Sequence, residues 1–326
     1  MRRSFTRPRV VLSKCLELEP VRYNGQRIPD SFIRRLIDFV DFVPVCPEVE
    51  IGLGVPREPV RLVAATSGET RLVQPATGRD LTERMNQFAR RYLEGLGPVD
   101  GFILKAGSPS CGTSNVKVYQ QPEPSPTVRR EPGMFARHVL ETHGDFAVED
   151  EGRLRNFPIR HHFLTRLFAF AELRELEQSD DPEILELIEF HRQSKELLLA
   201  YREEELRALG RLVSNPHNRD VRDLLAEYTP RFRRALADMP SRKRQVNVLV
   251  HMYGHFKDRL RGPERHDFLA LVEAYRNHHT SLMAPIALLR SWCARYDYDY
   301  LADQRYLEPY PRELIQMRDS GKGFDF

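Results

Sequence analysis

Gly101-Phe102-Ile103-Leu104-Lys105-Ala106-Gly107-Ser108-Pro109-Ser110-Cys111-Gly112 decides how the first half of this chain folds. Its first residues form an apolar run of the length of a buried strand, and the Gly/Ser/Pro cluster after them is a turn signal. A cysteine therefore stands on a tight loop just past a strand, among small residues. Glycines let a backbone approach something bulky, and the two serines add hydroxyls and accessible amides. Such a loop suits a ligand or an inorganic centre. It suits equally well a turn that ends in a buried free cysteine, a common fate of that residue.

Two other short apolar runs end the same way. Arg9-Val10-Val11-Leu12-Ser13-Lys14-Cys15 reads as the first strand, and Val40-Asp41-Phe42-Val43-Pro44-Val45-Cys46-Pro47-Glu48 as the second. Between them Asn24-Gly25 marks a turn. Pro29-Asp30-Ser31 then starts a helix to about Phe39, with Phe32, Leu36, Ile37 and Val40 at helical spacing. Residues 59–63 and 70–73 read as a hairpin near the sheet edge, and Asp80 caps a helix reaching about Gly95. Strand, helix, strand, hairpin, helix, strand is the order of an α/β domain with a largely parallel sheet. Ligands in such sheets lie beyond the carboxyl ends of the strands, the edge to which Cys15, Cys46 and Cys111 are assigned. Proline-rich residues 120–126 read as an excursion or linker, and a helix from Gly133 closes the domain.

The composition is that of a soluble globular protein, with 41% hydrophobic and 30% charged residues in 326. That length allows one large domain or two ordinary ones. No apolar stretch is long enough to span a bilayer, and the basic N-terminus is not followed by a signal-peptide core. The expectation is a cytoplasmic protein with no membrane association and no obligate protein partner. The formal net charge of +3 announces no nucleic-acid-wide field. Its distribution is uneven, with 20 Lys and Arg against 15 Asp and Glu before residue 135 and 30 against 32 after it. All 11 histidines lie from His138 onward. The cysteines, Cys15, Cys46, Cys111 and Cys293, contain no C-x-x-C pair. A reducing compartment argues against disulfides, and the spacing argues against a zinc ribbon or a ferredoxin-type run.

From Pro158 onward the strand signal gives way to amphipathic helices, expected over 159–176, 182–213, 219–236, 242–260 and 264–296, with Pro285 kinking or breaking the last. The expected fold is thus an α/β N-terminal domain with a largely parallel sheet, followed by an all-α C-terminal domain. The boundaries are residues 1–150, a connecting helix over 151–180, and an all-helical domain over 181–326. In that last part Arg231, Arg233, Arg234, Arg242, Lys243 and Arg244 form a cation-rich stretch that can track phosphates or simply be a solvated helix face. His251 and His255 share a helix face and read as polar surface residues more readily than as a metal pair.

Three thiolates converging from separate loops are the right number to hold a cubane iron–sulfur cluster with one iron left free, and thiolates are its natural ligands. A free iron can act as a Lewis acid toward a soft sulfur donor. Zinc in a three-cysteine site and merely buried cysteines remain open at this level. Glu48, two residues after Cys46, is placed to act as a general base or acid. Ser108 and Ser110 can orient a substrate or serve as plain turn residues. Lys14 and Lys105 can offset thiolate charge.

Ser13-Lys14-Cys15-Leu16 with Val21-Arg22-Tyr23, Pro44-Val45-Cys46-Pro47-Glu48 and Lys105–Gly112 together resemble the three motifs of the thiouracil desulfurase (TudS-like) family over about residues 8–150. The resemblance implies a [4Fe-4S] cluster held by Cys15, Cys46 and Cys111, with catalytic roles for Glu48 and Ser108. The implied reaction is an iron-assisted, Glu48-promoted hydrolysis that removes sulfur from a thiolated pyrimidine and releases hydrosulfide. Ile51-Gly52-Leu53-Gly54 departs from the usual Leu-Gly-Gly-Leu, and Asn24 stands where aspartate is usual; both lie in loops that can shape substrate choice. Residues from about 180 to 305 resemble the YbgA-like helical domain. The fused architecture implies thiolated uridine in tRNA, 4-thiouridine foremost, as the substrate, and the helical part as the RNA-holding module. Desulfuration of free 2-thiouracil-type bases, or a non-catalytic RNA-binding protein with a structural metal, are the alternatives.

Overall fold

Runs of apolar residues that are buried on both faces pair best as parallel strands flanked by other layers, and the first half of the chain does this. In the computed structural model, which describes residues 3–215 and 217–316, β1 (Arg9–Ser13), β2 (Asp41–Val45), β6 (Gly101–Leu104) and β9 (Ala147–Asp150) form a parallel sheet in the order β2-β1-β6-β9. Val10, Val11, Leu12, Phe102, Ile103 and Leu104 are fully buried in it. A second, mixed sheet has the order β5-β4-β3-β7-β8, built from β3 (Arg61–Ala64), β4 (Thr70–Gln74), β5 (Arg79–Asp80), β7 (Val116–Tyr119) and β8 (Thr127–Glu131). The hairpin expected at the edge of the parallel sheet is therefore β3–β4 of this separate sheet. The proline-rich segment 120–126 is the tip of the β7–β8 hairpin rather than a linker.

Four helices complete this part: α1 (Ser31–Leu36), α2 (Pro47–Glu50), α3 (Thr82–Glu94) and α4 (Met134–His143). Asp30 caps α1 by accepting from the amides of Phe32 (2.9 Å) and Ile33 (3.0 Å), a satisfaction of otherwise orphaned donors. Met85, Ala89 and Leu93 of α3 and Phe135 and Val139 of α4 join Val11, Leu62 and Phe102 in one apolar core.

The chain divides into two compact units, Arg7–Phe163 and Leu164–Ile315, residues 3–6 going with the second. The division falls inside α5 (Phe157–Glu177). Residues 1–2 and 317–326 of the two expected domains lie outside the described residues. The second unit continues with α6 (Ile184–Gln193), α7 (Lys195–Tyr201), α8 (Glu203–Val213), α9 (Val221–Ala235), α10 (Arg242–Gly254), α11 (Gly262–Arg276), α12 (Met283–Arg295) and α13 (Asp299–Ala302). Phe170, Phe190, Tyr228, Phe232, Phe256 and Phe268 lie in its core. Two expected helices are broken. Residues 182–213 form α6, α7 and α8: Ser194 (φ −96°, ψ 0°) separates α6 from α7, and Arg202 is extended (φ −150°) between α7 and α8. Residues 264–296 divide between α11 and α12. Pro285 falls in the first turn of α12, where the missing N–H has no helical partner to lose, so the break precedes it. Among the described residues no helix is long and apolar enough to cross a membrane.

Candidate active site

Three cysteines far apart in sequence reach one edge because their strands run parallel and in register. Ser13 pairs with Val45 across β1 and β2, and Leu12 with Ile103 across β1 and β6. The chain leaves each strand at nearly the same level. Cys15 follows β1, Cys46 is the N-cap of α2 with Pro47 in the first turn, and Cys111 ends the loop after β6. All three line one cavity of ≈200 Å³.

Burial sets the character of these thiols. Burial pushes Cys15 up to about 12, reinforced by neighbouring Cys46 and opposed by the Lys105 ammonium. Cys46 is also raised by burial, with the amide of Val49 pulling the other way. Burial raises Cys111 well above the ordinary thiol range against a hydrogen bond from Ser13. They are protonated at neutral pH unless a cationic centre displaces the protons. Among the described residues no three His, Cys, Asp or Glu side chains form a group suited to a single metal ion. The thiols thus line the cavity without closing on one point.

The loop after β6 is held from several directions. The Lys105 amide donates to Ser13 Oγ (2.9 Å), and the Ala106 amide to Glu151 (2.6 Å), which also takes the Lys105 ammonium. Gly107 has φ +68°, a conformation only glycine adopts readily. Ser108 Oγ accepts from the amides of Ser110 (3.2 Å) and Cys111 (3.1 Å). The first turn of α4 grips the loop from outside. Met134 N donates to Pro109 O (2.9 Å), Ala136 N to Ser110 O (3.0 Å), and Gly133 N to Gly112 O (2.7 Å). A Cβ on Gly133 would stand 2.6 Å from the Ser110 carbonyl, so this approach requires glycine.

Glu48 Oε1 accepts from the fully buried Ser110 hydroxyl at 3.0 Å, and its Oε2 accepts from Arg57 Nε at 2.8 Å. Ser108 also lines the cavity. The structure thus brings Cys15, Cys46, Cys111, Glu48, Ser108 and Ser110 together, Ser110 through its bond to Glu48. It adds roles for Arg57, Ser13, Glu151 and Gly133, to none of which the sequence alone assigns one. A lone arginine between Pro56 and Pro59, soon after Cys-Pro-Glu, was the available signal for Arg57.

The six cations from Arg231 to Arg244 do not converge on one partner. Arg231 pairs with Glu205. Arg233 faces Glu177 at 3.6 Å and the Phe170 ring. Arg242 donates to Tyr275 O (2.7 Å) with its guanidinium 4.5 Å from that ring's centroid, and Arg244 donates to Tyr201 O (2.7 Å). Arg234 and Lys243 are exposed. His251 contacts Glu196 (3.1 Å) and His255 contacts the Tyr298 hydroxyl (3.1 Å), so each has its own partner. Cys293 is buried in the helical core, and burial pushes it up to about 11.

The family model for 2-thiouracil desulfurase matches residues 10–151. Residues 10–151 of this chain belong to the 2-thiouracil desulfurase family. Its desulfurase unit contains the whole cavity described above, which makes the chain a desulfidase of thiouracil type. A second family model, for a protein family of unknown function (DUF1722), matches residues 195–311. Among curated relatives, the uncharacterized YbgA of Escherichia coli K12 is 31% identical over 159 residues, covering 48% of this chain and 93% of YbgA. The uncharacterized YbbK of Bacillus subtilis 168 is 34% identical over 110 residues, covering 32% of this chain and 73% of YbbK. Among solved structures, the [4Fe-4S]-dependent thiouracil desulfidase TudS matches at 27% identity and a TM-score of 0.35, over 45% of this chain and 93% of that one.

Proposed function

We propose that this chain is a [4Fe-4S]-dependent desulfidase that removes sulfur from thiolated uridine, with 4-thiouridine in tRNA as its leading substrate. In this reading it works in the cytoplasm, residues 1–150 carry the chemistry, and the helical region from 181 holds the RNA. The observation that supports it most is the meeting of Cys15, Cys46 and Cys111 with Glu48 on one cavity inside the span matched by the desulfurase family.

The donor set fits the cluster. Thiols with no imidazole among the lining residues are the ligands iron–sulfur clusters take. A Cβ on Gly107 would meet nothing within 4 Å, so the loop leaves open space beside the thiols. Cys15, Cys46 and Cys111 would hold the group, and the Lys105 ammonium would balance part of the thiolate charge. When bound, the cluster supplies a Lewis-acidic iron suited to a soft thiocarbonyl sulfur.

The chain's own residues do the rest. Glu48 takes a proton from water as the water oxygen bonds to the thiocarbonyl carbon. The carbon–sulfur bond then breaks, sulfur leaves as hydrosulfide, and the pyrimidine keeps the oxygen, with no electrons transferred. Ser110 steadies the carboxylate through Oε1. Ser108, whose oxygen takes two loop amides, directs its own proton at the substrate. Exposed Arg234 and Lys243 are available to RNA phosphates, with Arg231, Arg233, Arg242 and Arg244 shaping the surface around them.

The family's description favours a second reading, in which free 2-thiouracil-type bases are the substrate. The test is to purify the chain anaerobically, measure iron and labile sulfide, and incubate it with thiolated tRNA and with free thiouracil. Hydrosulfide from tRNA, with loss of 4-thiouridine, is the expected result. Release from thiouracil alone selects the second reading. A cluster-free chain that binds RNA and releases nothing overturns both.

A further inference from the structure

Arg57 enters the cavity wall from the loop between α2 and β3. Its side chain is only 5% exposed, against 13% for Glu48. Nε and Nη2 both reach Glu48 Oε2 at 2.8 Å. Nη1 donates to the carbonyls of Val21 (2.9 Å) and Gly54 (3.1 Å), and Nη2 lies 4.0 Å from Cys46 Sγ. The Arg57 amide donates to Tyr23 O at 2.8 Å. A planar guanidinium with this many fixed acceptors cannot rotate without breaking several bonds at once. With Oε2 so engaged, Oε1 is left to Ser110. The Val21 carbonyl belongs to the segment that brings Arg22 and Tyr23 to the same cavity. One side chain therefore joins the reacting carboxylate, a cysteine and the cavity's rim.

We propose that Arg57 is a positioning residue for desulfuration: it aims Glu48 and ties the Val21–Tyr23 rim to it, without touching the substrate. The inference rests on the function proposed above. Charge alone does not provide this role, because a compact lysine ammonium cannot serve Glu48, Val21 and Gly54 together.

The test uses the cluster-loaded full chain and whichever of thiolated tRNA or free 2-thiouracil the wild type turns over. Arg57→Lys is expected to lower kcat about 10²-fold, the scale of a misplaced catalytic group. KM should stay within about threefold, with iron and labile sulfide at the wild-type level. In a Glu48→Gln background the same substitution should cost nothing more, because it acts through that carboxylate. In cluster-free chains, denaturant unfolding of the single and double variants should show coupling between the two positions. If Arg57→Lys does not fold, Arg57→Gln is measured in the same scheme. Unchanged kcat, losses that multiply in the double variant, activity lost in proportion to cluster, or no coupling in unfolding would overturn the role of Arg57. A wild type inactive on every thiolated pyrimidine would instead overturn the function on which it rests.

Discussion

The loop from Lys105 to Gly112 and the cation-rich stretch from Arg231 to Arg244 use polar side chains in opposite ways. In the first, residues distant in sequence, such as Ser13, Glu48, Glu151 and Gly133, are drawn to one loop and fix it around a cavity. In the second, residues close in sequence diverge, Arg231 to Glu205, Arg242 to Tyr275 and Arg244 to Tyr201. Parallel strands gather their C-terminal ends at one edge, whereas successive residues of a helix point 100° apart and meet different neighbours. A helical cluster of like charges is thus dispersed by the geometry that creates it.

The contrast breaks most sharply at a cysteine. Cys111→Ala should abolish iron and labile-sulfide incorporation and all hydrosulfide release, while Cys293→Ser, in the helical core, should leave iron content unchanged; loss of iron in both would erase the distinction. Glu48→Gln should lower kcat by about 10²–10⁴, the range for a general base, with an intact cluster spectrum. Gly133→Ala should destabilise the desulfurase unit by about 1–3 kcal/mol, the cost of overpacking, read as a shifted denaturant midpoint. Buried His191, held down to about 4 by desolvation, sharpens the comparison from the helical side. Its folded pKa lies below its unfolded one, so the contribution is complete above the unfolded value near 6.5 and is lost as pH falls toward 4. Between pH 7 and pH 5 the wild type should lose about 2 kcal/mol more than His191→Gln in urea unfolding. The smallest effect belongs to the cations. Arg231→Ala should cost no more than about 1 kcal/mol, as half-exposed ion pairs do. Arg234→Ala should leave stability alone and reduce the salt slope of tRNA binding by about 1.

The parallel sheet and the convergence of Cys15, Cys46 and Cys111 were legible because each strand is an apolar run that stops at a cysteine. The second sheet was not, since β3–β4 pairs as a hairpin in either sheet and only its parallel contact with β7 decides. The roles of Arg57 and Ser13 were not legible because they depend on partners: Glu48 from the preceding helix, and Lys105 from another strand's end. The break at Arg202 rests on one extended backbone angle, for which helical periodicity has no signature.

The hydrogen bond from Gly133 to Gly112 joins the two ends of everything between them. The intervening hairpin is thus anchored twice, at this neck and along β7, which pairs in parallel with β3. Its tip, around residues 120–126, lies beyond both anchors and outside the cavity lining, so length changes there should leave Cys111 in place.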